Sequence, residues 1–156
     1  MGCLYGAATA LRQKKGPGVD AGVPVVCVGN LTAGGAGKTP VVIDIVRRLA
    51  ARGMRPQVVS RGYGGDAPTA PHRVDPATDD AADVGDEPLM IASSAPVWIT
   101  ADRPAAAEAA RGTGADALVL DDGFQDPSLK KNLSLVVADG RHGFGNGFMI
   151  PAGPLR

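Results

Sequence analysis

The segment from Val23 to Arg52 constrains this chain more than any other. Val23 to Val28 is an apolar run rich in β-branched residues and reads as a buried strand. It leads into Thr32-Ala33-Gly34-Gly35-Ala36-Gly37-Lys38-Thr39 and then into Thr39 to Arg52. There Val42, Ile45, Val46 and Leu49 recur at helical spacing, and Gly53 supplies the stop. Strand, glycine-rich loop and amphipathic helix in that order form the context of a phosphate-binding loop. Glycines let successive backbone N–H groups turn toward one anion, and the exposed amides and dipole of the following helix add partial positive charge. Turn chemistry alone does not account for Gly37-Lys38-Thr39 at such a junction. The match to G-x-x-x-x-G-K-[ST] departs at its first position, where Thr32 stands in place of Gly.

The chemistry this implies is nucleotide binding, with ATP and Mg²⁺ expected. Lys38 is placed to reach the β and γ phosphates, and Thr39 to set its hydroxyl on Mg²⁺. A partner motif follows in Ala117-Leu118-Val119-Leu120-Asp121-Asp122, an apolar strand delivering two carboxylates to its C-terminal end, where ligands bind in open α/β sheets. Asp121 is the first candidate for the metal, with Asp122 beside it. These residues support phosphoryl transfer or nucleotide hydrolysis and name no acceptor.

The rest of the chain alternates strands and helices. Gln57 to Ser60, Pro96 to Thr100, Ala117 to Leu120 and Leu133 to Ala138 read as strands. Glu87 to Ser93 and the Ala-rich Asp102 to Arg111 read as helices, while Asp66 to Val84 reads as a long surface loop or small excursion. This order predicts an α/β, P-loop NTPase-like fold with a mostly parallel sheet and helices on both faces. Residues 1–22 are expected to form an N-terminal helix, Leu4 to Gln13, and a linker; residues 23–156 form the nucleotide-binding domain. The Gly- and Pro-rich stretch from Gly143 to Arg156 ends without a closing helix or strand, so truncation before a second, C-terminal domain is expected.

Composition narrows the partners. Hydrophobic residues make up 44% and charged residues 21%, an ordinary soluble balance that favours neither disorder nor membrane spanning. Sixteen Lys and Arg against sixteen Asp and Glu give no overall field to draw nucleic acid, which is not an expected partner. Cys3 and Cys27 lack metal-ligand spacing and fit a reducing, cytoplasmic setting. His72 and His142 have no companion ligands in sequence.

Several stretches, in shared order, resemble the tetraacyldisaccharide 4′-kinases of lipid A biosynthesis. They are Gly29-Asn30-Leu31-Thr32 through Thr39-Pro40, Ser60-Arg61-Gly62-Tyr63, Gly85-Asp86-Glu87-Pro88 and Asp121-Asp122-Gly123-Phe124-Gln125. The last runs from Phe144-Gly145-Asn146-Gly147 to Pro151-Ala152-Gly153-Pro154-Leu155-Arg156. Thr32 in the first loop position is similar to that family's own loop. The resemblance implies transfer of the ATP γ-phosphate to the 4′-hydroxyl of a tetraacylated glucosamine disaccharide 1-phosphate. It also implies peripheral association with the cytoplasmic face of the bacterial inner membrane, to which an apolar N-terminal face of Leu4, Tyr5, Ala8 and Leu11 would contribute. By the same resemblance Asp86 is the carboxylate that assists the attacking hydroxyl, Glu87 lies near the metal and phosphates, and Arg103 and Arg156 contact phosphate or lipid headgroup. A second domain would supply a further catalytic His. Asp126 departs from the family, which usually carries His after Asp-Asp-Gly-Phe-Gln. The alternatives are a nucleotide-binding fragment without catalysis and a P-loop ATPase that switches partner contacts.

Overall fold

The computed structural model describes residues 18–62 and 68–155. The expected N-terminal helix with Leu4, Tyr5, Ala8 and Leu11, and also Cys3, Tyr63 and Arg156, lie outside the described residues. Six strands are formed: β1 (Val25–Gly29), β2 (Pro56–Ser60), β3 (His72–Arg73), β4 (Val97–Ile99), β5 (Ala117–Asp121) and β6 (Leu133–Val136). Four helices accompany them: α1 (Lys38–Ala50), α2 (Ala81–Val84), α3 (Asp86–Ala92) and α4 (Arg103–Gly112). The sheet order is β3-β4-β2-β5-β1-β6, and every pairing is parallel except β3 with β4.

Helices cover both faces, because adjacent strand residues point to opposite sides. Val25, Cys27, Val59, Trp98, Leu118 and Leu120 pack with Ala106, Ala107 and Ala110 of α4. Val28, Val58, Val97, Ile99 and Val119 pack instead with Val42 and Val46 of α1 and Ile91 of α3. Alternation therefore splits β5 cleanly, with Leu118 and Leu120 on one side and Val119 on the other. The α4 alanines let that helix approach closely where a larger residue would hold it off. Trp98 Nε1 donates to Gln57 Oε1 at 2.7 Å, so the one polar edge in this layer is satisfied.

Two stretches differ from the sequence expectation. The excursion before Gly85 is ordered by β3 and by α2, whose cap Asp80 accepts from the N–H groups of Ala82 and Asp83. β6 is shorter than expected and is mostly exposed, with Leu133 51% and Val136 41% accessible. It pairs only with β1 among the described residues and sits at the end of the sheet order. Among the described residues, no helix is long and apolar enough to cross a membrane.

The topology sets where a site can form. β5 inserts between β1 and β2, so the carboxyl ends of β1 and β5 lie side by side, with Val28 in register with Asp121. In open α/β sheets such an end carries the ligand crevice. Gly29 closes β1 because a Cβ there would stand 2.6 Å from Phe124 Cβ, so only glycine lets the loops after β1 and β5 meet.

Candidate active site

The glycine loop is open rather than filled by its own side chains. Gly34 and Gly37 adopt φ of 108° and 75°, values that side-chain-bearing residues avoid, and a Cβ at Gly34, Gly35 or Gly37 would meet nothing within 4 Å. Gly37 caps α1 without a side-chain hydrogen bond, and the first turn of α1 carries no acidic residue. The first N–H groups of α1 are thus unclaimed by a capping side chain and free to meet an anion. At the loop's start, Ala33 N donates to the Pro154 carbonyl at 2.7 Å, and Thr32 bridges to Leu155. Lys38 turns back across the loop: its Nζ donates to Asn30 Oδ1 at 3.4 Å and lies 4.0 Å from Asp122 Oδ1. Thr32 to Thr39 and the acidic strand end, expected from sequence to act together, are brought together.

Asp121 is 4% exposed and accepts a hydrogen bond from Ser60 Oγ at 3.2 Å. Burial pushes its carboxyl up to about 6; the Ser60 bond opposes this, the charges of Asp122 and Glu87 add to it, and Lys38 opposes it weakly. Asp122 follows with φ of 50°, a left-handed turn that Asp tolerates. Among the described residues, no three His, Cys, Asp or Glu side chains converge on one point. Mg²⁺ is commonly held by one or two carboxylates together with phosphate oxygens and water, so a site for it needs no closed protein cage. Asp121, Asp122 and the Thr39 hydroxyl are the groups available for it.

The raised pKa makes a stability prediction. The folded chain holds the Asp121 proton above the ordinary 3.8, so the contribution to stability is complete below that value and is lost as pH rises through about 6. With divalent cations chelated, Asp121→Asn is therefore expected to be more stable than the parent by about 2 kcal/mol at about pH 7.5, with the gap closing below about pH 4. Urea melts at the two pH values check this, and an Asn variant less stable than the parent at the higher pH would refute it.

Asp86 and Glu87 occupy the first turn of α3 and are exposed, next to the buried Gly85, whose φ is 92°. Glu87 is near enough for its charge to act on Asp121, and Asp86 is exposed beside it. Arg103 departs from the expectation of a phosphate or headgroup contact. It is 3% exposed, and its Nη1 donates to Asp126 Oδ2 at 2.9 Å. Its Nη2 donates to the carbonyls of Asp122 at 3.0 Å and Asp121 at 3.4 Å. The physical reason is its position at the start of α4, where the side chain tucks beneath the end of β5 and meets a carboxylate there. Burial alone would raise the Asp126 carboxyl, but bonds from Ser128 and the charges of Arg103 and Lys131 outweigh it and hold the group below the ordinary range. The two histidines bind carboxylates at the surface: His72 Nε2 lies 2.7 Å from Asp79 and His142 Nδ1 3.3 Å from Asp139. Phe144 is 47% exposed.

Three residues at the site received no role from the sequence: Asn30, Ser60 and Gln125. Ser60 ends β2 and Asn30 directly follows β1, so a polar residue at the end of an apolar strand was the available signal for both, whereas Gln125 lies four residues beyond β5 and carried none. Asn30 is fully buried and Gln125 Nε2 donates to its carbonyl at 3.1 Å, joining the loops after β1 and β5.

Comparison with known proteins extends this geometry. The whole chain, residues 1–156, matches the family model LpxK, described as tetraacyldisaccharide-1-P 4′-kinase. It is 58% identical over 156 residues to the tetraacyldisaccharide 4′-kinase of Dinoroseobacter shibae, covering all of this chain and 46% of that protein. To the tetraacyldisaccharide 4′-kinase of Rhodospirillum rubrum it is 55% identical over 156 residues, covering 47% of that protein. The crystal structure of LpxK from Aquifex aeolicus, described as an "apo" form in complex with ATP, superposes with a TM-score of 0.78 at 27% identity. That match covers 98% of this chain and 50% of the other. The chain spans about half the length of the curated relatives it matches. With a six-stranded, mostly parallel sheet and a P-loop facing paired carboxylates, it belongs to the tetraacyldisaccharide-1-P 4′-kinase family.

Proposed function

We propose that this chain is the nucleotide-binding part of an ATP-dependent kinase that transfers the γ-phosphate of ATP to the 4′-hydroxyl of a tetraacyldisaccharide 1-phosphate, a lipid A precursor. The observation that carries this reading is the open glycine loop with Lys38 turned across its mouth toward Asp122. Residues 23–156 act as the nucleotide-binding domain. The backbone N–H groups of the Thr32 to Thr39 loop hold the phosphates, and Lys38 gives a compact positive charge to the β- and γ-phosphate oxygens on either side of the P–O bond that breaks. Asp121 and Asp122, with the Thr39 hydroxyl and Glu87 nearby, would hold Mg²⁺. When bound, that ion offsets phosphate charge during transfer.

Asp86 accepts the proton of the acceptor hydroxyl as the new P–O bond forms and the bond to the ADP leaving group breaks. Its exposure on α3, outside the layer that buries Asp121, suits contact with a bulky substrate. Arg156 contacts the anionic groups of the acceptor. Because the acceptor is a lipid, the reaction takes place with the protein peripherally associated at the cytoplasmic face of the inner membrane.

The test is transfer of labelled γ-phosphate to the tetraacyldisaccharide 1-phosphate by this chain, alone and with the remaining half of a relative added. Mg²⁺-dependent ATP binding by the chain alone, and transfer in the complemented mixture, are the expected results. ATP binding without transfer in either case selects a nucleotide-binding module. Hydrolysis and ATP-driven dimerisation without lipid select a partner switch.

A further inference from the structure

We infer that Asn30 is the positioning residue of the phosphate loop: its side-chain amide sets the conformation in which the loop N–H groups face the nucleotide. This rests on the nucleotide reading above and goes beyond it. The loop has little means of organising itself, since Gly34, Gly35 and Gly37 have no side chains and Ala33 and Ala36 have no polar atoms. Asn30 stands just before it, at the end of β1, and is 0% exposed. Its Nδ2 donates to the carbonyl of Thr32 at 2.8 Å and to that of Gly34 at 3.2 Å.

A planar peptide fixes the consequence. The carbonyl of one residue and the N–H of the next point in opposite directions, so drawing the Thr32 and Gly34 carbonyls inward turns the N–H groups of Ala33 and Gly35 away from Asn30. The Ala33 N–H meets the Pro154 carbonyl, which anchors the loop from the other side. The Gly35 N–H is by that argument turned away from Asn30, and the loop is open there, since a Cβ at Gly35 would meet nothing within 4 Å. The same amide keeps Lys38 at the mouth, because Asn30 Oδ1 accepts from Lys38 Nζ at 3.4 Å. The Asn30 carbonyl in turn accepts from Gln125 Nε2, so the acidic loop after β5 is tied to the same residue.

No other side chain of this size serves. Aspartate would set acceptors against two carbonyls and bury a negative charge, and leucine would leave both carbonyls without their donor. A residue acting only as core filler would change stability without choosing among nucleotides, whereas one that aims N–H groups at phosphates must change affinity in proportion to the phosphates held.

The experiment compares the parent chain with Asn30→Asp by calorimetry with MgATP and by competition with AMP, alongside urea unfolding. The expected result is an affinity for MgATP reduced about tenfold, as for the loss of two hydrogen bonds, with AMP changed by less than about twofold. MgATP affinity within about twofold of the parent, or an equal loss for both nucleotides, overturns the inference. If Asn30→Asp does not fold, Asn30→Ser, which keeps one donor and adds no charge, is judged by the same rule. A parent chain that binds no MgATP refutes the nucleotide reading itself, and the inference falls with it; a parent that binds beside an unaffected variant refutes only the inference.

Discussion

Lys38→Ala is expected to weaken MgATP binding by about 100-fold or more, the equivalent of about 3 kcal/mol, with little change in the urea midpoint. The two halves of that expectation have separate physical causes. Among the described residues, the Lys38 ammonium makes contacts at the limit of useful length, 3.4 Å to Asn30 Oδ1 and 4.0 Å to Asp122 Oδ1. Contacts that long contribute little, so removing them costs the fold about 1 kcal/mol or less. With nucleotide, the same group meets phosphate oxygens that carry full negative charge in a partly dry crevice, where charge-assisted bonds are about twice as strong as neutral ones. The lysine also offsets the repulsion that Asp121 and Asp122 would exert on a polyanion, and alanine leaves that repulsion unopposed. Calorimetric titration with MgATP, paired with urea unfolding of both chains, measures each half. Retention of affinity within about threefold would mean that the loop does not hold phosphate in the way its glycines suggest.

The parts of this protein that were legible in its sequence are those written by local chemistry. Glycines followed by Lys38 and Thr39 between a β-branched run and an amphipathic helix identify the loop, because few other structures need those residues in that order. The strand ending in Asp121 and Asp122 was readable for the same reason, and both core layers follow from period-two alternation within each strand. What could not be read is what depends on partners distant in the chain. Arg103 carries a guanidinium that would suit a phosphate, and its inward turn is decided by Asp126, which meets it only once β5 and α4 have packed. Asn30 is a different case, for its partners are the nearby carbonyls of Thr32 and Gly34, and only the turned conformation of the loop brings them onto its amide. β6 has the composition of a buried strand, but its position at the end of the sheet order leaves Leu133 and Val136 in solvent. Propensity fixes what a segment becomes and is silent on which neighbours it receives.

Asp126 gives the departure from the family's usual His a structural meaning. Through Arg103 it is linked to the carbonyls of both Asp121 and Asp122, so its charge is paired with a guanidinium that holds the acidic turn. Lys131 strengthens the same corner by donating to the carbonyls of Phe124 at 3.1 Å and Asp126 at 2.6 Å. The turn that carries the acidic pair is thereby clamped from beneath while its upper side stays open to the loop.

Arg103→Met should then destabilise the chain by about 3–5 kcal/mol, a large part of the roughly 5–15 kcal/mol that holds a domain together. The loss comes from what is left behind: a carboxylate half-buried without its partner and two carbonyls without their donor. Asp126→Asn should cost less, about 1–2 kcal/mol, because the Asp126 side chain is 35% exposed and water can take over part of its role. The Asp126 carboxyl is held below the ordinary range, so its contribution is present above the unfolded value of 3.8 and is lost as pH falls through the lower folded value. The difference between parent and Asp126→Asn should accordingly shrink in acid. Combining Arg103→Met with Asp126→Leu should cost less than the sum of the single changes, since a buried pair exchanged for apolar groups no longer leaves an uncompensated charge. That economy is plausible here because the pair is not ideal: Arg103 Nε is buried without a hydrogen-bond partner among the described residues. Urea melts of Arg103→Met, Asp126→Leu and the double variant supply the cycle, with Asp126→Asn measured alongside. An Arg103→Met chain as stable as its parent would show that the guanidinium does not hold the turn, and would reopen for Arg103 the phosphate or headgroup contact that the family resemblance implied.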